Sequence, residues 1–287
     1  MIPESIKQDI SDKLNIGITG FSATTGGCIS SGGKVSTTDG NFFLKWNRLK
    51  QYPGMFKAEE KGLQLLAETN TLRLPKTELT SELDDWQYIL MEFIDQEKAG
   101  NNYWTRLGEQ LASLHRHTNT KFGLDLDNYI GALKQKNSFK ESWIDFFIEC
   151  RLAPQLRLLR DDNRVETKFV SALESLYPKL VDLLPVESPA LLHGDLWSGN
   201  VIMGETDLCV IDPAVYYGHR EIEISFTKLF GGFESSFYEA YVHHFPLLPG
   251  FDQRIDLYNL YPLLVHANLF GQNYISRISS ILRKYEE

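Results

Sequence analysis

The spacing of apolar positions divides the chain into a strand-rich first third and a helix-rich remainder. Ile6, Ile10 and Leu14 recur at helical spacing, which predicts an amphipathic helix over residues 4–14. Alternating or continuous apolar runs predict strands at 16–25, 28–37, 41–46 and 86–93, with a helix at 55–68. Beyond residue 102 the helical period predicts helices at 103–117, 142–159, 168–184, 237–245 and 257–284.

This change of period predicts an α+β, two-lobed chain with a boundary near residue 94. Residues 1–94 are expected to form a small lobe of antiparallel sheet with one main helix. Residues 95–287 are expected to form a larger, mostly helical lobe. Two short apolar runs at 190–192 and 208–211 interrupt the helical part and predict buried strands there.

Those two short runs flank the stretch that carries the clearest chemistry, LLHGDLWSGNVIMGETDLCVIDPA at residues 191–214. Asp195 and Asn200 have the spacing of the kinase catalytic loop H-R-D-x-x-x-x-N, with Gly194 in the Arg position. Asp212 follows an apolar run, as the Asp of D-F-G does in kinases. A carboxylate at 195 can accept a hydroxyl proton, while Asn200 and Asp212 offer the oxygen ligands that Mg²⁺ prefers. The alternative is that these residues only form turns and caps.

A lysine in the third predicted strand has the setting of a phosphate-binding residue. Lys45 lies in the apolar run FFLKW, where a cation needs an anionic partner. Glu59 and Glu60 in the next helix are candidates, and we favour Glu59 because it lies nearer the apolar face. We therefore predict that Lys45 binds ATP phosphates and that Glu59 orients it. The alternative is that Lys45 is a surface residue of an edge strand.

Two backbone segments of the first third are predicted to contact the nucleotide. Gly26 and Gly27 join the first two predicted strands, and glycine there lets backbone amides approach phosphates, although such a pair is also an ordinary hairpin turn. Met91, Glu92 and Phe93 end the strand at 86–93, where a hinge would offer backbone groups to adenine.

Composition limits the partners and the compartment. The chain has 287 residues and a formal net charge of −9, which disfavours nucleic acid or an anionic membrane surface as the main partner. Three cysteines (Cys28, Cys150 and Cys209) argue against a disulfide framework and favour a reducing compartment. The sequence has no signal-peptide pattern and no apolar run of membrane-spanning length, so we expect a cytoplasmic protein. Neither oligomeric state nor a redox role for Cys28 can be predicted.

With these motifs in view, the chain resembles the fructosamine kinase (ketosamine kinase) family and, more distantly, aminoglycoside phosphotransferases and choline kinases. HGD-x-x-x-x-N marks the whole superfamily, whereas Trp197 and the run DPA…GHRE at 212–221 indicate the fructosamine kinase branch. The segments GGCI at 26–29, MFKAE at 55–59 and FGLD…DN…IG at 122–131 agree, so the resemblance spans nearly the whole chain.

The resemblance implies a protein-kinase-like fold, ATP and Mg²⁺ as cofactors, and phosphorylation of a sugar hydroxyl, in many members the 3-hydroxyl, of a ketoamine. The phosphorylated adduct decomposes, which implies deglycation of proteins or amino acids. By position, Asp195 is the base, and Asn200 and Asp212 bind metal. Trp197 and His219 are expected at the substrate.

Supporting residues are also predicted behind the catalytic stretch. His193 and Arg220 are expected to support the catalytic loop, Arg220 by ion pairing. The chain departs from the family pattern at Glu223-Ile224-Ser225, where Asp-Leu-Ala is expected and where the longer Glu changes the bracing geometry. It also lacks the Thr-Pro typical of the family within 131–137.

Two other functions stay open at this stage. The same chemistry could act on an aminoglycoside, choline or another small alcohol, and a polycationic aminoglycoside would suit an acidic chain. A catalytically dead nucleotide-binding module is the alternative outside enzymes, although Lys45, Asp195, Asn200 and Asp212 are all intact. The preferred sugar, a free or protein-bound amine and the hydroxyl used cannot be distinguished from the sequence.

Overall fold

The computed structural model describes residues 1–24, 30–96, 102–204 and 208–286. Packing divides the chain into two compact units. The first comprises Met1–Tyr103 and Val201–Pro213, and the second comprises Trp104–Asn200 and Ala214–Glu287. The first unit thus includes a segment from far along the chain that the sequence did not assign to it. The domain boundary near residue 94 stays a prediction.

The first unit is built on a five-stranded antiparallel sheet. One helix precedes the first strand in the sequence, and a second helix lies between the third and fourth strands. The strand order is β1-β2-β3-β5-β4. The elements are α1 (Glu4–Leu14), β1 (Ile18–Ala23), β2 (Ser31–Thr37), β3 (Gly40–Arg48), α2 (Met55–Glu68), β4 (Thr77–Leu83) and β5 (Trp86–Glu92). A separate hairpin pairs β9 (Val201–Met203) with β10 (Leu208–Val210).

The two faces of this sheet differ because side chains alternate along each strand. Leu44 and Trp46 of β3 and Tyr88 of β5 pack into one buried apolar cluster with Ile6 and Ile10 of α1. Residues 45 and 47 of β3 therefore point to the opposite face, and 87 and 89 of β5, their partners in the register, do the same. This second face carries the charged and polar side chains discussed below.

The second unit is mostly helical and has short two-stranded ladders. Its helices, after α3 (Tyr103–Leu114), are α4 (Trp143–Phe146), a π-helical segment (Phe147–Leu152), α5 (Ala153–Asp161), α6 (Thr167–Leu176), α7 (Leu180–Leu183), α8 (Arg220–Leu229), α9 (Ser235–His244), α10 (Phe251–Phe270) and α11 (Asn273–Leu282). Short 3₁₀ turns occur at Tyr177–Lys179, Ser198–Asn200 and Arg283–Tyr285. Its strands pair as β6 (Asn128–Ile130) with β7 (Leu133–Gln135), and β8 (Ala190–Leu192) with β11 (Tyr216–Gly218).

Most predicted elements are present, with identifiable differences. The predicted helices at 4–14 and 55–68 match α1 and α2. Strand β4 and its turn to β5 were missed because TELTSEL carries few apolar residues. The predicted helix at 142–159 is interrupted by a π-helical segment, with Pro154 at the start of α5 where its missing N–H is tolerated. Within the described residues, no helix is both long and apolar enough to cross a membrane.

Candidate active site

The first unit brings Lys45, Glu59 and Asp212 into direct contact. The Lys45 Nζ lies 2.6 Å from Glu59 Oε1 and 2.5 Å from Asp212 Oδ1. Strand β3 supplies the lysine, α2 supplies Glu59, and Asp212 follows β10. The structure thus pairs Lys45 with Glu59, as the helix face suggested, and Lys45 is not a solvated edge residue.

The charges of this trio depend on one another. Burial alone would lower the pKa of Lys45, but the carboxylates of Asp212 and Glu59 outweigh it and raise the pKa above the ordinary lysine value. Burial raises the pKa of Glu59, and the Lys45 ammonium opposes that rise. One cation facing two carboxylates leaves a net negative charge, which a metal ion could offset.

Asp212 has a backbone conformation that suits a functional position. Its φ is 57°, in the left-handed region that few non-glycine residues adopt. Its side chain is 43% exposed, whereas those of Lys45 and Glu59 are 13% and 12% exposed. The carboxylate therefore remains accessible to a ligand while it pairs with Lys45.

The end of β5 is where adenine contacts were predicted, and its backbone is largely used by the sheet. Met91 lies between Phe43 of β3 and Thr77 of β4 in the register, and the Glu92 N–H donates to the Lys76 carbonyl at 2.8 Å. The Glu92 carboxylate pairs with Arg73. Of the three predicted residues, Phe93 lies beyond the strand. The predicted phosphate turn at Gly26 and Gly27 lies outside the described residues.

In the second unit, Asp195 follows β8 in a loop whose geometry requires glycine. Gly194 has φ 86°, and a Cβ there would lie 2.0 Å from the Ala214 carbonyl oxygen. The Ala214 N–H donates to the His193 carbonyl at 2.9 Å, which extends the β8–β11 ladder to this point. This close approach explains why glycine stands where protein kinases carry Arg.

Asn200 fixes Asp195 within the loop. Its side-chain Nδ2 donates to the Asp195 carbonyl at 2.9 Å and to the Asp195 carboxylate at 3.1 Å. The Asp195 N–H donates to Nδ1 of His193 at 3.3 Å, which places the ring proton of a neutral His193 on Nε2. Asp195, Asn200 and His193 are therefore together, as the motif predicted.

Glu223 of α8 accepts hydrogen bonds from the backbone of this loop. Its carboxylate accepts from the N–H groups of Gly194 at 2.6 Å and His193 at 3.2 Å. It also contacts Nε2 of His115 at 3.0 Å, while His115 Nδ1 lies 2.7 Å from the Tyr241 hydroxyl. Burial would raise the pKa of Glu223, but the hydrogen bond from His115 and the nearby donors lower it below the ordinary value.

From the sequence, Arg220 was the favoured support of the loop, and Glu223 stood at a departure from the family pattern that was expected to change the bracing geometry. The bonds of Arg220 go to Glu187 at 2.7 Å and to the carbonyls of Phe245 and Pro246. Glu223, not Arg220, contacts the backbone of the loop. In the sequence, Glu223 is one of several charged residues between 219 and 223, and nothing in that run distinguishes it from its neighbours.

The two residues predicted at the substrate have opposite environments. Trp197 is 38% exposed and meets Phe230 edge-on at 6.2 Å, so its ring can contact a ligand. His219 is 0% exposed and stacks on Trp143 and Tyr258. Burial lowers the pKa of His219 to about 3, so the ring is neutral at pH 7. Its burial does not fit direct substrate contact, and we correct that prediction to a structural role.

A small cavity of about 30 Å³ adjoins Asp195 in the second unit. Apolar side chains form most of its wall, together with Glu223, Tyr261 and His266. The Tyr261 hydroxyl donates to Gln135 at 2.5 Å, and His266 Nδ1 lies 2.7 Å from the Pro262 carbonyl.

The fold is shared with a solved structure whose sequence is only distantly similar. It matches that of the aminoglycoside phosphotransferase APH(4)-Ia with a TM-score of 0.69 over 98% of this chain and 99% of that chain, at 14% identity. This is the two-lobed kinase-like fold that the sequence predicted.

The family follows from comparisons over the whole chain. The family model described as fructosamine kinase matches residues 2–287. The protein-ribulosamine 3-kinase of Arabidopsis thaliana is 40% identical over 93% of this chain and 83% of its own length, and the ketosamine-3-kinase of Mus musculus is 33% identical over 94% and 97%. A proposed fructosamine-3-kinase from Thermobifida fusca has a TM-score of 0.88 at 30% identity, covering 98% of both chains. The chain belongs to the fructosamine kinase family and is a kinase.

Proposed function

We propose that this chain uses ATP and Mg²⁺ to phosphorylate a sugar hydroxyl, the 3-hydroxyl, of fructosamine or ribulosamine adducts. The observation that carries the proposal is the direct pairing of Lys45 with both Glu59 and Asp212. A phosphotransferase needs such a lysine, held by a carboxylate, at the nucleotide phosphates. The acceptor is inferred from family membership and from relatives named for ribulosamine and ketosamine.

The first unit supplies the groups proposed for the nucleotide. Lys45 neutralises phosphate charge, and Glu59 keeps its ammonium in place. Gly26 and Gly27 are proposed to offer amides to the phosphates, and Phe93 to offer backbone groups to adenine, since it is the predicted hinge residue beyond β5. These assignments use a cation and backbone groups, which suit ATP without requiring a basic surface.

The proposed ligands of Mg²⁺ are Asn200 and Asp212. Both offer oxygen donors, and Asp212 combines an accessible carboxylate with a left-handed backbone conformation. Two ligands from the chain suit Mg²⁺, which usually takes one or two carboxylates and completes its shell with phosphates and water. When bound, the ion neutralises charge on the transferring phosphate.

Asp195 is the proposed base. Its carboxylate takes the proton of the acceptor hydroxyl as that oxygen bonds to the γ-phosphorus. The bond from the γ-phosphorus to the bridging oxygen breaks, and ADP leaves with the bond electrons. Asn200 holds the carboxylate by a bond of 3.1 Å, and Glu223 holds the loop through the Gly194 N–H. Orientation of the carboxylate by these two contacts is the contribution of the second unit.

The proposed acceptor is a ketoamine, the rearranged adduct of a sugar with an amine. Trp197 offers an exposed aromatic face to the sugar or to the alkyl part of the amine. Loss of a proton from C1 forms an enol with C2, from which the phosphate on C3 can leave as inorganic phosphate. Water then hydrolyses the resulting imine at C1 and releases the amine. This gives a deglycation role, which we propose for the cytoplasm because the chain has only three cysteines, a sparse set that favours a reducing compartment.

The test is ADP release with ATP and Mg²⁺ across ribulosyl-lysine, fructosyl-lysine, an aminoglycoside and choline. Turnover confined to the ketoamines is the expected result, and ³¹P NMR of the product identifies the hydroxyl. Turnover on the aminoglycoside or choline alone would overturn the acceptor. No ADP release with any of the four acceptors, although ATP still binds, would support a catalytically inactive nucleotide-binding module.

A further inference from the structure

The first unit contains a buried pair of amide side chains two residues from Lys45. Asn47 of β3 and Gln87 of β5 are direct partners in the strand register and are 6% and 1% exposed. Gln87 Nε2 donates to Asn47 Oδ1 at 2.8 Å. We call these two residues the amide pair. Because Lys45 and Asn47 are separated by two, they share a face of the sheet.

The amide pair connects to the start of β2. Asn47 Nδ2 donates to the Ser30 hydroxyl at 3.1 Å. Ser30 directly precedes β2 and directly follows residues 25–29, which contain the glycines proposed for the phosphates. The amide of Asn47 thus holds Ser30 in place at the start of β2.

The same pair connects to the start of α2, the helix that carries Glu59. Gln87 Nε2 also donates to the Tyr52 carbonyl, which accepts from the Met55 N–H at 3.2 Å. Asn47 Nδ2 lies 3.1 Å from Met55 Sδ at the first residue of α2. Among the described residues, no side chain makes a capping hydrogen bond at the N-terminal end of α2, where the N-cap residue is Gly54. The amide pair therefore supplies side-chain contacts that hold the entry of α2 against the sheet.

We propose that Asn47 is a positioning residue for ATP, acting through Ser30 and through the α2 entry on the groups that meet the phosphates. Buried amide side chains that form hydrogen bonds hold their partners in a narrow geometry. Loss of one amide leaves the polar groups of its partners without a hydrogen bond. Three elements that carry the proposed phosphate contacts converge on this one side chain: β3 with Lys45, α2 with Glu59, and the entry of β2. The inference rests on the proposed function in two respects, namely that ATP is the nucleotide and that Lys45 and Glu59 act at its phosphates.

A residue on the other face of the sheet provides a matched control. Tyr88 follows Gln87 in β5, is 0% exposed, and donates its hydroxyl to Asp9 of α1 at 2.7 Å. Tyr88→Phe also removes one buried hydrogen bond in the same unit, but it removes it from the face away from Lys45. Any effect that comes from lower stability alone should appear in both variants.

The experiment measures ATP dissociation constants and melting temperatures for Asn47→Ala, Ser30→Ala and Tyr88→Phe. Asn47→Ala is expected to raise the dissociation constant for ATP roughly tenfold, and Ser30→Ala about threefold. These increases are in the range expected for the loss of one or two hydrogen bonds. In turnover, the KM for ATP should rise while the KM for the acceptor stays unchanged. Tyr88→Phe should lower the melting temperature yet leave ATP affinity within about twofold, less than one lost hydrogen bond typically produces.

Two results would overturn the inference: unchanged ATP affinity in Asn47→Ala, or equal weakening in Tyr88→Phe. If Asn47→Ala fails to fold, Ser30→Ala carries the test, because it cuts only the bond from Asn47 to the entry of β2; unchanged ATP affinity there would then overturn it. ATP affinity is measured without acceptor. A wild-type protein that binds ATP but does not phosphorylate ketoamines would therefore contradict the proposed acceptor and would not affect this test.

Discussion

The Lys45 trio of the first unit and the Asp195 loop of the second hold their carboxylates by different means. In the trio, Asp212 and Glu59 both contact one ammonium, at 2.5 and 2.6 Å. In the loop, Asp195 accepts a hydrogen bond from a neutral amide, and the backbone donates to Glu223. Charge pairing therefore organises the groups proposed for nucleotide and metal, and hydrogen bonds from neutral groups organise the proposed base.

This difference has a chemical reason. A base must keep a carboxylate that can accept a proton, and a direct contact with a cation would lower its pKa and its basicity. A phosphate-binding lysine has the opposite need, because it must stay charged while buried. The two environments suit those needs, and variants of each should fail in different ways.

The largest effect is expected for Asp195→Asn. The substitution keeps the size of the side chain and an oxygen that can accept from Asn200, but it removes the proton acceptor. We expect turnover with a ketoamine to fall by about 10³-fold or more, within the range for losing a general base. The kcat from ADP release measures this, and a kcat within tenfold of wild type would remove Asp195 as the base.

Lys45→Met should have the next largest effect and should act on a different parameter. It leaves the Glu59 and Asp212 carboxylates without their shared cation. We expect kcat/KM for ATP to fall by about 10²-fold, since a desolvated charge contact is worth a few kcal/mol. Lys57→Met, which removes an exposed lysine paired with Glu82 in the same unit, is the control and should change little. Comparable losses in both variants would contradict the assignment.

Glu223→Gln should reduce turnover about tenfold by loosening the loop, because a carboxamide offers one acceptor oxygen to donors that now share two. Its melting temperature should also fall. Glu221→Gln is the control: Glu221 lies on the same helix and pairs with Arg254 at 2.7 Å, not with the loop. It should lose stability with a much smaller loss of kcat, and an equal loss of kcat would show that Glu223 acts only through stability.

The pH dependence of the Glu223 contribution has a definite sign. The folded pKa of Glu223 lies below its ordinary value of 4.5, so the unfolded chain binds more protons between the two values. The stabilisation is fully present above about pH 4.5 and is lost as the pH falls through the folded pKa. The difference in unfolding free energy between wild type and Glu223→Gln should be present at pH 5.5 and shrink below pH 4.5. A difference that grows on acidification would contradict this account.

Trp197→Leu should have the smallest effect, confined to the acceptor. The exposed ring offers stacking worth about 1 kcal/mol, so we expect the KM for the ketoamine to rise roughly fivefold. The KM for ATP should not change, and Trp197→Phe should restore part of the loss. An increase in the KM for ATP would place Trp197 at the nucleotide instead.

Much of the fold and most of the chemistry could be predicted because local patterns carried them. The spacing of Asp195 and Asn200 identified the loop, and the position of Glu59 on the apolar face of α2 predicted its pairing with Lys45. These predictions depend on residues close in sequence or on a helix and a strand that follow one another.

The features that could not be predicted depend on distant contacts. Glu223 meets the loop from 29 residues away, and nothing in its neighbours indicates that its carboxylate accepts from Gly194. His219 carried the same kind of sequence signal as a functional histidine, yet its ring is buried and packs against both Trp143 and Tyr258. Titratable residues of a dense polar run cannot be sorted into buried and accessible without the packing around them.

The most direct test of the division between the two regions is an ATP–Mg²⁺ titration of Asp195→Asn and Lys45→Met without acceptor. If the trio binds nucleotide and the loop acts on the acceptor, Asp195→Asn should bind ATP within about threefold of wild type, a change below 1 kcal/mol. Lys45→Met should bind at least tenfold more weakly. Wild-type affinity in Lys45→Met, or loss of ATP binding in Asp195→Asn alone, would contradict the account.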